Sequence, residues 1–393
     1  MSQAWSITFR NGPIFDGTRL LQGHAARFEE ARLTALRPEA ELPVTAHEID
    51  LGGDILSPGY VDLQVNGGGG VMLNDTPDLA TVKHIAAAHR GLGVAALLPT
   101  LITDTVEKTH AAIAAVAEAT TTGVPWVKGL HLEGPHLSPT RKGAHDADLI
   151  RPMGKDDLET LLEAASTLPV LKVTVAPESV SEDQVSTLAR AGVLVSLGHS
   201  DANFDTCCRY VAAGARCVTH LFNAMSQLGN REPGLVGAAL AKGEVCAGLI
   251  ADAIHVHPQT MRAAWTAKAD PGRIFLVSDA MAVAGSNTSS FELGGRTIQR
   301  ADGRLTLPDG TLAGADLDLT TALRTMVSQV GVPLDHALQA ATSVPGHLIG
   351  MRCTLENMTE VIRISSDLTD ARPIAETASI ADQYSSPSRA PID

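Results

Sequence analysis

Between residues 55 and 277 the chain alternates short β-branched and aliphatic runs with Ala/Leu-rich stretches of helical period. The candidate strands are Ile55–Val65, Val94–Pro99, Val127–Leu132, Leu171–Ala176, Val193–Leu197, Cys217–Leu221, Val245–Ile250 and Ile274–Val277. Helical patterns fill the gaps, as in Leu79–Leu92, Thr105–Ala119, Asp156–Thr167 and Glu182–Ala191. Strict alternation makes successive strands parallel, because each helix carries the chain back before the next strand begins. Eight such units predict closure into an α/β, TIM-like (β/α)8 barrel. Aromatic residues are only 3% of the 393, so that core must be built from Ala, Leu and Val.

The flanks follow other rules. Residues 1–56 hold short strand-like runs broken by turn signals such as Asn11-Gly12-Pro13 and Asp16-Gly17, which predicts part of a small β-sandwich-like domain ahead of the barrel at 57–350. The Gly/Asp-rich stretch Glu292–Gly314 reads as a β-hairpin inserted after the eighth strand, followed by helical patterns at Leu319–Val330 and Leu334–Leu348. Past Met351 the periodicity fades, and 351–393 reads as an atypical, poorly ordered tail.

Chemistry-bearing side chains track the strand ends: Asp62 and Gln64, Thr100, Glu133, Glu178, His199, His220, Asp252 with His255, and Asp279. Barrel enzymes build their active sites at those ends. Seven of the fourteen histidines fall between His131 and His257, the segment that holds most of these residues. Glu133, His199 and His220 close three different strands, and two imidazoles with one carboxylate suit one divalent cation, zinc or iron(II), with a position left for water. Asp279 in Val277-Ser278-Asp279-Ala280 could cap the next segment. The Ala/Met/Gly sequence that follows is a poor helix start, which favours an acid/base role instead.

A net charge of −14 argues against a nucleic-acid or anionic-membrane partner, while leaving room for a small anion held by a few local cations. The five cysteines (Cys207, Cys208, Cys217, Cys246 and Cys353) form no Cys-x-x-Cys pair, and no apolar run is long enough to span a membrane. The expectation is a cytoplasmic protein.

The motifs Pro58-Gly-Tyr-Val-Asp-Leu-Gln-Val-Asn-Gly67, His131-Leu-Glu-Gly-Pro-His-Leu137, Lys142-Gly-Ala-His145, Ala176-Pro-Glu178 and Leu197-Gly-His-Ser200 recur in one family. They continue as Thr219-His-Leu-Phe-Asn-Ala-Met225, Arg231-Glu-Pro-Gly234, Ala251-Asp-Ala-Ile-His255 and Val277-Ser-Asp279. In this order they resemble the N-acetylglucosamine-6-phosphate deacetylases of the amidohydrolase superfamily. The resemblance implies that Glu133, His199 and His220 hold the metal, and that Asp279 and His145 are catalytic, His145 by stabilising an oxyanion. It implies substrate contacts from Gln64, Ala144, His145, Asn223, Ala224, Arg231, Asp252, His255, Leu312, Ala313 and Gly314. Arg231 and His255 would take the 6-phosphate, with Arg231 supplied by the neighbouring subunit of a homodimer. Many amidohydrolases carry His-x-His after the first strand; Gln64 and Asn66 stand there instead, which implies one metal per subunit. Two departures stand out. Ala253 replaces the usual glycine of Asp-Gly-x-His, and after Met351 the closing strands of the small domain are not recognisable, so that domain is expected to lack strands. The alternatives are an amidohydrolase for another acylated amino sugar or a cyclic amide, and a catalytically impaired phosphosugar-binding homologue.

Overall fold

The computed structural model describes residues 6–374 apart from 30, 31 and 359. Its centre is an eight-stranded parallel sheet in chain order: Tyr60–Val65, Val94–Ile102, Leu130–Glu133, Leu171–Val175, Leu194–Leu197, Cys217–Val218, Cys246–Leu249 and Ile274–Leu276. The segment just past the last strand meets the end of the first through a parallel bridge between Val65 and Ala280, where the Asn66 N–H donates to the Ala280 carbonyl at 2.9 Å. The sheet therefore closes into the expected barrel. Leu63, Val65, Leu97, Leu132, Val173, Val195, Leu249 and Phe275 are almost wholly buried in its core, each contributing roughly 1.5–3 kcal/mol by leaving water.

Helix starts carry their own signals. Asp78, Thr105, Ser181, Asn203 and Asp318 each accept the N–H three residues on, capping the helices Leu79–Gly91, Val106–Thr121, Glu182–Arg190, Phe204–Ala213 and Leu319–Thr325. Ser181 and Gln184 form a reciprocal capping box. The stretch 319–330 leaves α geometry after Thr325 for a π turn over Met326–Val330, and 334–348 breaks at Thr342 into two helices. Among the described residues no helix is long and apolar enough to cross a membrane.

The run Ile55–Val65 is two strands. It divides at Gly59, where a Cβ would lie 2.4 Å from that of Ala95, so no larger residue fits the crossing. Ile55–Pro58 belongs to the small domain, which stacks a four-stranded sheet (Arg32–Pro38, His24–Glu29, Ser6–Arg10, Glu48–Asp50) on a five-stranded one. The five-stranded sheet runs Ala371–Pro373, Val361–Ile364, Ile55–Pro58, Ile14–Phe15, Leu20–Leu21. Phe9, Ile14, Phe28, Leu56, Leu355 and Val361 pack between the two.

The expectation of missing closing strands is thereby corrected. Val361–Ile364 pairs antiparallel with Ile55–Pro58 from Val361/Pro58 to Ile364/Ile55, and Arg363 reaches Asp54 at 2.7 Å. Strand addition is driven by main-chain hydrogen bonds, so a short run with no family-like sequence completes the sheet as well as a familiar one. The tail expected to be poorly ordered holds these strands up to Pro373; its remainder, 375–393, lies outside the described residues. The stretch read as a hairpin is a four-stranded antiparallel sheet, Ser290–Leu293, Arg296–Ala301, Arg304–Thr306 and Leu312–Ala315. It covers the barrel mouth, with Met72, Ile102, Met281, Leu293 and Ala313 in a satellite core beneath it.

Candidate active site

Glu133 is the last residue of the third barrel strand, His199 and His220 follow the fifth and sixth by two residues, and Asp279 follows the eighth by three. His199, His220 and Asp279 have left-handed backbone, with φ of +48°, +28° and +49°. That conformation costs a residue with a Cβ on the order of 1–3 kcal/mol. Here it turns the chain sharply off each strand, and all four side chains line one cavity at the barrel mouth.

The Glu133 Oε1 atom lies 2.9 Å from His220 Nε2 and 3.1 Å from His199 Nε2, and the two imidazole nitrogens are 3.1 Å apart. His199 Nδ1 donates to the Arg141 carbonyl at 2.8 Å, which leaves the Nε2 lone pair facing the carboxylate. Lone pairs gathered this closely repel unless a proton or a cation sits among them, so the donor set fits one divalent metal ion. Of the four buried side-chain polar atoms without a partner among the described residues, three belong to residues at or beside this cluster: Gln64 Oε1, Asn66 Oδ1 and His220 Nδ1. Burial opposes ionisation of Glu133, but hydrogen bonds and charge from His199 and His220 outweigh it and hold the carboxyl well below its usual range.

His145 also brings a ring nitrogen within 4.8 Å of ligand atoms of Glu133 and His199. Its Nδ1 is taken: the Thr103 N–H points at it from 3.4 Å and the Thr103 hydroxyl lies at 2.7 Å. The proton then sits on Nε2, as a donor. Burial first, then the neighbouring His199, push the His145 pKa down to about 3, so the ring is neutral near pH 7. The Glu133–His199–His220 triangle is tighter and better suited to the ion.

Asp279 is 8% exposed and takes hydrogen bonds on Oδ1 from Asn66 Nδ2 at 2.7 Å and Gln64 Nε2 at 3.0 Å. Burial, then the charge of Glu133, raise its pKa. Gln64 also donates to Glu133 Oε2 at 3.1 Å, bridging the two carboxylates. It is fully buried and does not line the cavity, whereas Asn66, which was not among the expected site residues, does.

Ala144, Asn223, Ala224, His255, Leu312 and Gly314 line the same cavity. Ala313 does not; its side chain is buried in the satellite core. Asp252 also stays out of it, holding His255 Nδ1 at 2.6 Å and accepting the His255 N–H at 2.8 Å. Arg231 is exposed on this chain and outside the cavity. Glu178 accepts from Ser200 Oγ at 2.8 Å and the Asp201 N–H at 2.6 Å, clamping the segment after His199. His145 also lines it, and Ile102, Gly143, Ile250, Met281, Leu293 and Thr311 complete the wall. Leu293 on the insert, like Ile102 and Met281 outside it, is apolar and carries no chemical signature in the sequence.

Ala253 has φ of +61°, the conformation a glycine adopts without cost. Ala253→Gly is expected to stabilise the fold by about 1 kcal/mol, the left-handed penalty less the entropy glycine gains when unfolded. The denaturant midpoint measures it; an unchanged or lower midpoint would show that the loop relaxes around alanine at no cost.

No family model matches the chain. The N-acetylgalactosamine-6-phosphate deacetylase of Shewanella sp. (strain ANA-3) is 42% identical over 294 residues, 75% of this chain and 74% of that protein. The N-acetylglucosamine-6-phosphate deacetylase of Haemophilus influenzae is 33% identical over 344 residues, 87% of this chain and 89% of that one. The crystal structure of N-acetylglucosamine-6-phosphate deacetylase from Pasteurella multocida superposes with a TM-score of 0.87 at 31% identity, covering 93% of this chain and 97% of its own. Identity and coverage of this order, on a barrel whose mouth carries a His/His/Glu cluster, make the chain a member of the N-acetylglucosamine-6-phosphate deacetylase family of the amidohydrolase superfamily.

Proposed function

We propose that the protein hydrolyses the acetamide of N-acetylglucosamine 6-phosphate to glucosamine 6-phosphate and acetate, in the cytoplasm. The observation that carries this reading is one cavity lined by a carboxylate of raised pKa, a His/His/Glu cluster and a neutral imidazole. Glu133, His199 and His220 would hold one divalent ion per subunit, zinc or alternatively iron(II) or another divalent cation. When bound, that ion supplies Lewis acidity toward a water and the acetamide carbonyl. A second ion is disfavoured because Gln64 and Asn66 turn their N–H groups toward the carboxylates.

In this reading Asp279 takes a proton from the attacking water as its oxygen bonds to the carbonyl carbon. Charge building on the carbonyl oxygen is met by the Nε2–H of His145, a donor fixed in advance by Thr103. Asp279 then delivers the proton to the amine nitrogen as the C–N bond breaks. Asn223 and the Ala224 backbone would hold the sugar, and His255, oriented by Asp252, would meet the phosphate. Arg231 would reach the phosphate of a neighbouring subunit's substrate in a homodimer, a role its exposure on the single chain supports.

Both phosphate residues touch a group remote from the reacting bond, so losing either should weaken binding more than chemistry. Arg231→Ala and His255→Ala are each expected to raise KM about 10–100-fold, the worth of a charge-assisted hydrogen bond, with kcat changed far less. An unchanged KM in both would remove the phosphate assignment.

The Shewanella relative favours a second reading, in which the sugar is N-acetylgalactosamine 6-phosphate. The two substrates differ in the configuration of one hydroxyl, so parallel kcat/KM measurements decide between them. A clear preference for the galacto epimer would replace the first reading while keeping the chemistry.

A further inference from the structure

The antiparallel insert reaches the site at its first turn. Gly294 and Gly295 are both left-handed, with φ of +55° and +73°, and their turn pairs Leu293 with Arg296 across the hairpin. Leu293 lines the cavity, and the half-buried Arg296 donates from Nη2 to the carbonyl of Ala144 at 2.5 Å. Ala144 immediately precedes His145 and packs against the satellite core beneath the insert.

The short loop carrying His145 is thus held at three points. Its start is fixed by the Arg141 carbonyl on His199 Nδ1, at 2.8 Å. Its end is fixed by Thr103 on His145 Nδ1, at 2.7 Å. Between them Gly143, with φ of +57°, bends the backbone past the His199 ring, and Arg296 holds the carbonyl that follows. The first two ties come from the barrel itself; the third comes from the insert. A guanidinium on a carbonyl is a charge-assisted bond with fixed direction, suited to setting a position.

We propose that Arg296 is a positioning residue for the hydrolysis, latching the insert to the Ala144 carbonyl and thereby setting where the His145 donor meets the acetamide oxygen. The inference rests on the reading of His145 given above. Arg296 acts through His145, so its loss should fall on kcat.

The test is steady-state kinetics of acetate release from the phosphorylated sugar, on metal-loaded full-length protein. Arg296→Met is expected to lower kcat by about 10–100-fold, the cost of an ångström-scale misplacement, with KM within about threefold of wild type. Arg296→Lys, which keeps the stem and one donor, should recover most of the loss. In a His145→Gln background Arg296→Met should cost less than about twofold, because residues acting as a unit are not additive. Unchanged kcat in Arg296→Met overturns the proposal, as does a raised KM with kcat kept, or a full additive loss on top of His145→Gln. Should the Met variant fail to fold, Arg296→Gln, which removes the charge but keeps a polar tip, carries the same comparison, and additivity there is equally fatal. Wild-type turnover with an indifferent Arg296 removes this inference alone. No wild-type turnover on either epimer removes the functional reading, and this inference with it.

Discussion

Replacing Asp279 by asparagine is expected to lower kcat by about 10³-fold or more while the protein keeps its metal and its fold, since general acid–base catalysis contributes roughly 10²–10⁴-fold. The substitution is close to isosteric. An amide oxygen at Oδ1 can still accept from Asn66 and Gln64, whose bonds of 2.7 and 3.0 Å hold the native carboxylate. What is lost is the capacity to take a proton and return it. Alanine would test less, because it strands two buried amides and mixes folding with chemistry. The direction of the Asp279 shift adds a signature. Burial and the charge of Glu133 raise its pKa, so the active, ionised form is lost as pH falls through that raised value. The acidic limb of the wild-type rate profile should therefore lie above the ordinary aspartate range, and a bound cation would pull it part of the way back. Acetate release by the variant at more than a tenth of the wild-type rate would show that another group moves the proton.

Glu133→Gln should strip the protein of metal. The native carboxylate is 2% exposed and gathers His199, His220 and Gln64 within 3.1 Å. A glutamine removes the negative charge that offsets the cation and leaves a single neutral amide oxygen, for which the Gln64 N–H₂ competes. Changes one layer further out commonly cost about 10–100-fold in metal affinity, so losing a ligand should cost at least the upper end of that range. Dialysed variant should hold far less than one ion per chain, with activity returning only in a large excess of divalent metal. Metal content equal to wild type would place the ion elsewhere, with His145, His199 and a different carboxylate as the group to examine.

Much of this site could be read from the chain because its signals are local. A strand announces itself within a few residues, and Glu133, His199, His220 and Asp279 stand at or just past such runs. Parallel closure of eight strands then brings residues 146 positions apart, Glu133 and Asp279, to one mouth. What stayed illegible depends on contacts between distant segments. Asn66 donates to Asp279 across 213 positions, and Arg296 to Ala144 across 152. Arg296 has nothing beside it in sequence to mark it out; Asn66 stands just past the first strand, in the place of the usual second histidine, but its partner Asp279 could not be read from there. Val361–Ile364 was missed for a related reason: four residues are too few to show a period, and they become a strand by pairing with Ile55–Pro58, some three hundred positions earlier. The insert was read as one hairpin from its Gly/Asp-rich composition, which signals turns without counting strands, and the return of Leu312–Ala315 to the sheet was not visible. Asp252 and Ala313 stand beside cavity residues in sequence, but the backbone turns their side chains elsewhere.

The most direct test of the account is acetate release from N-acetylglucosamine 6-phosphate and from the unphosphorylated sugar, on protein whose metal content has been measured. The account predicts rapid release from the phosphorylated sugar alone, with about one divalent ion per chain, as three protein ligands at one site require. Folded, metal-loaded protein that releases no acetate from this sugar or its galacto epimer would contradict it, and would leave the barrel and its ion serving a different amide.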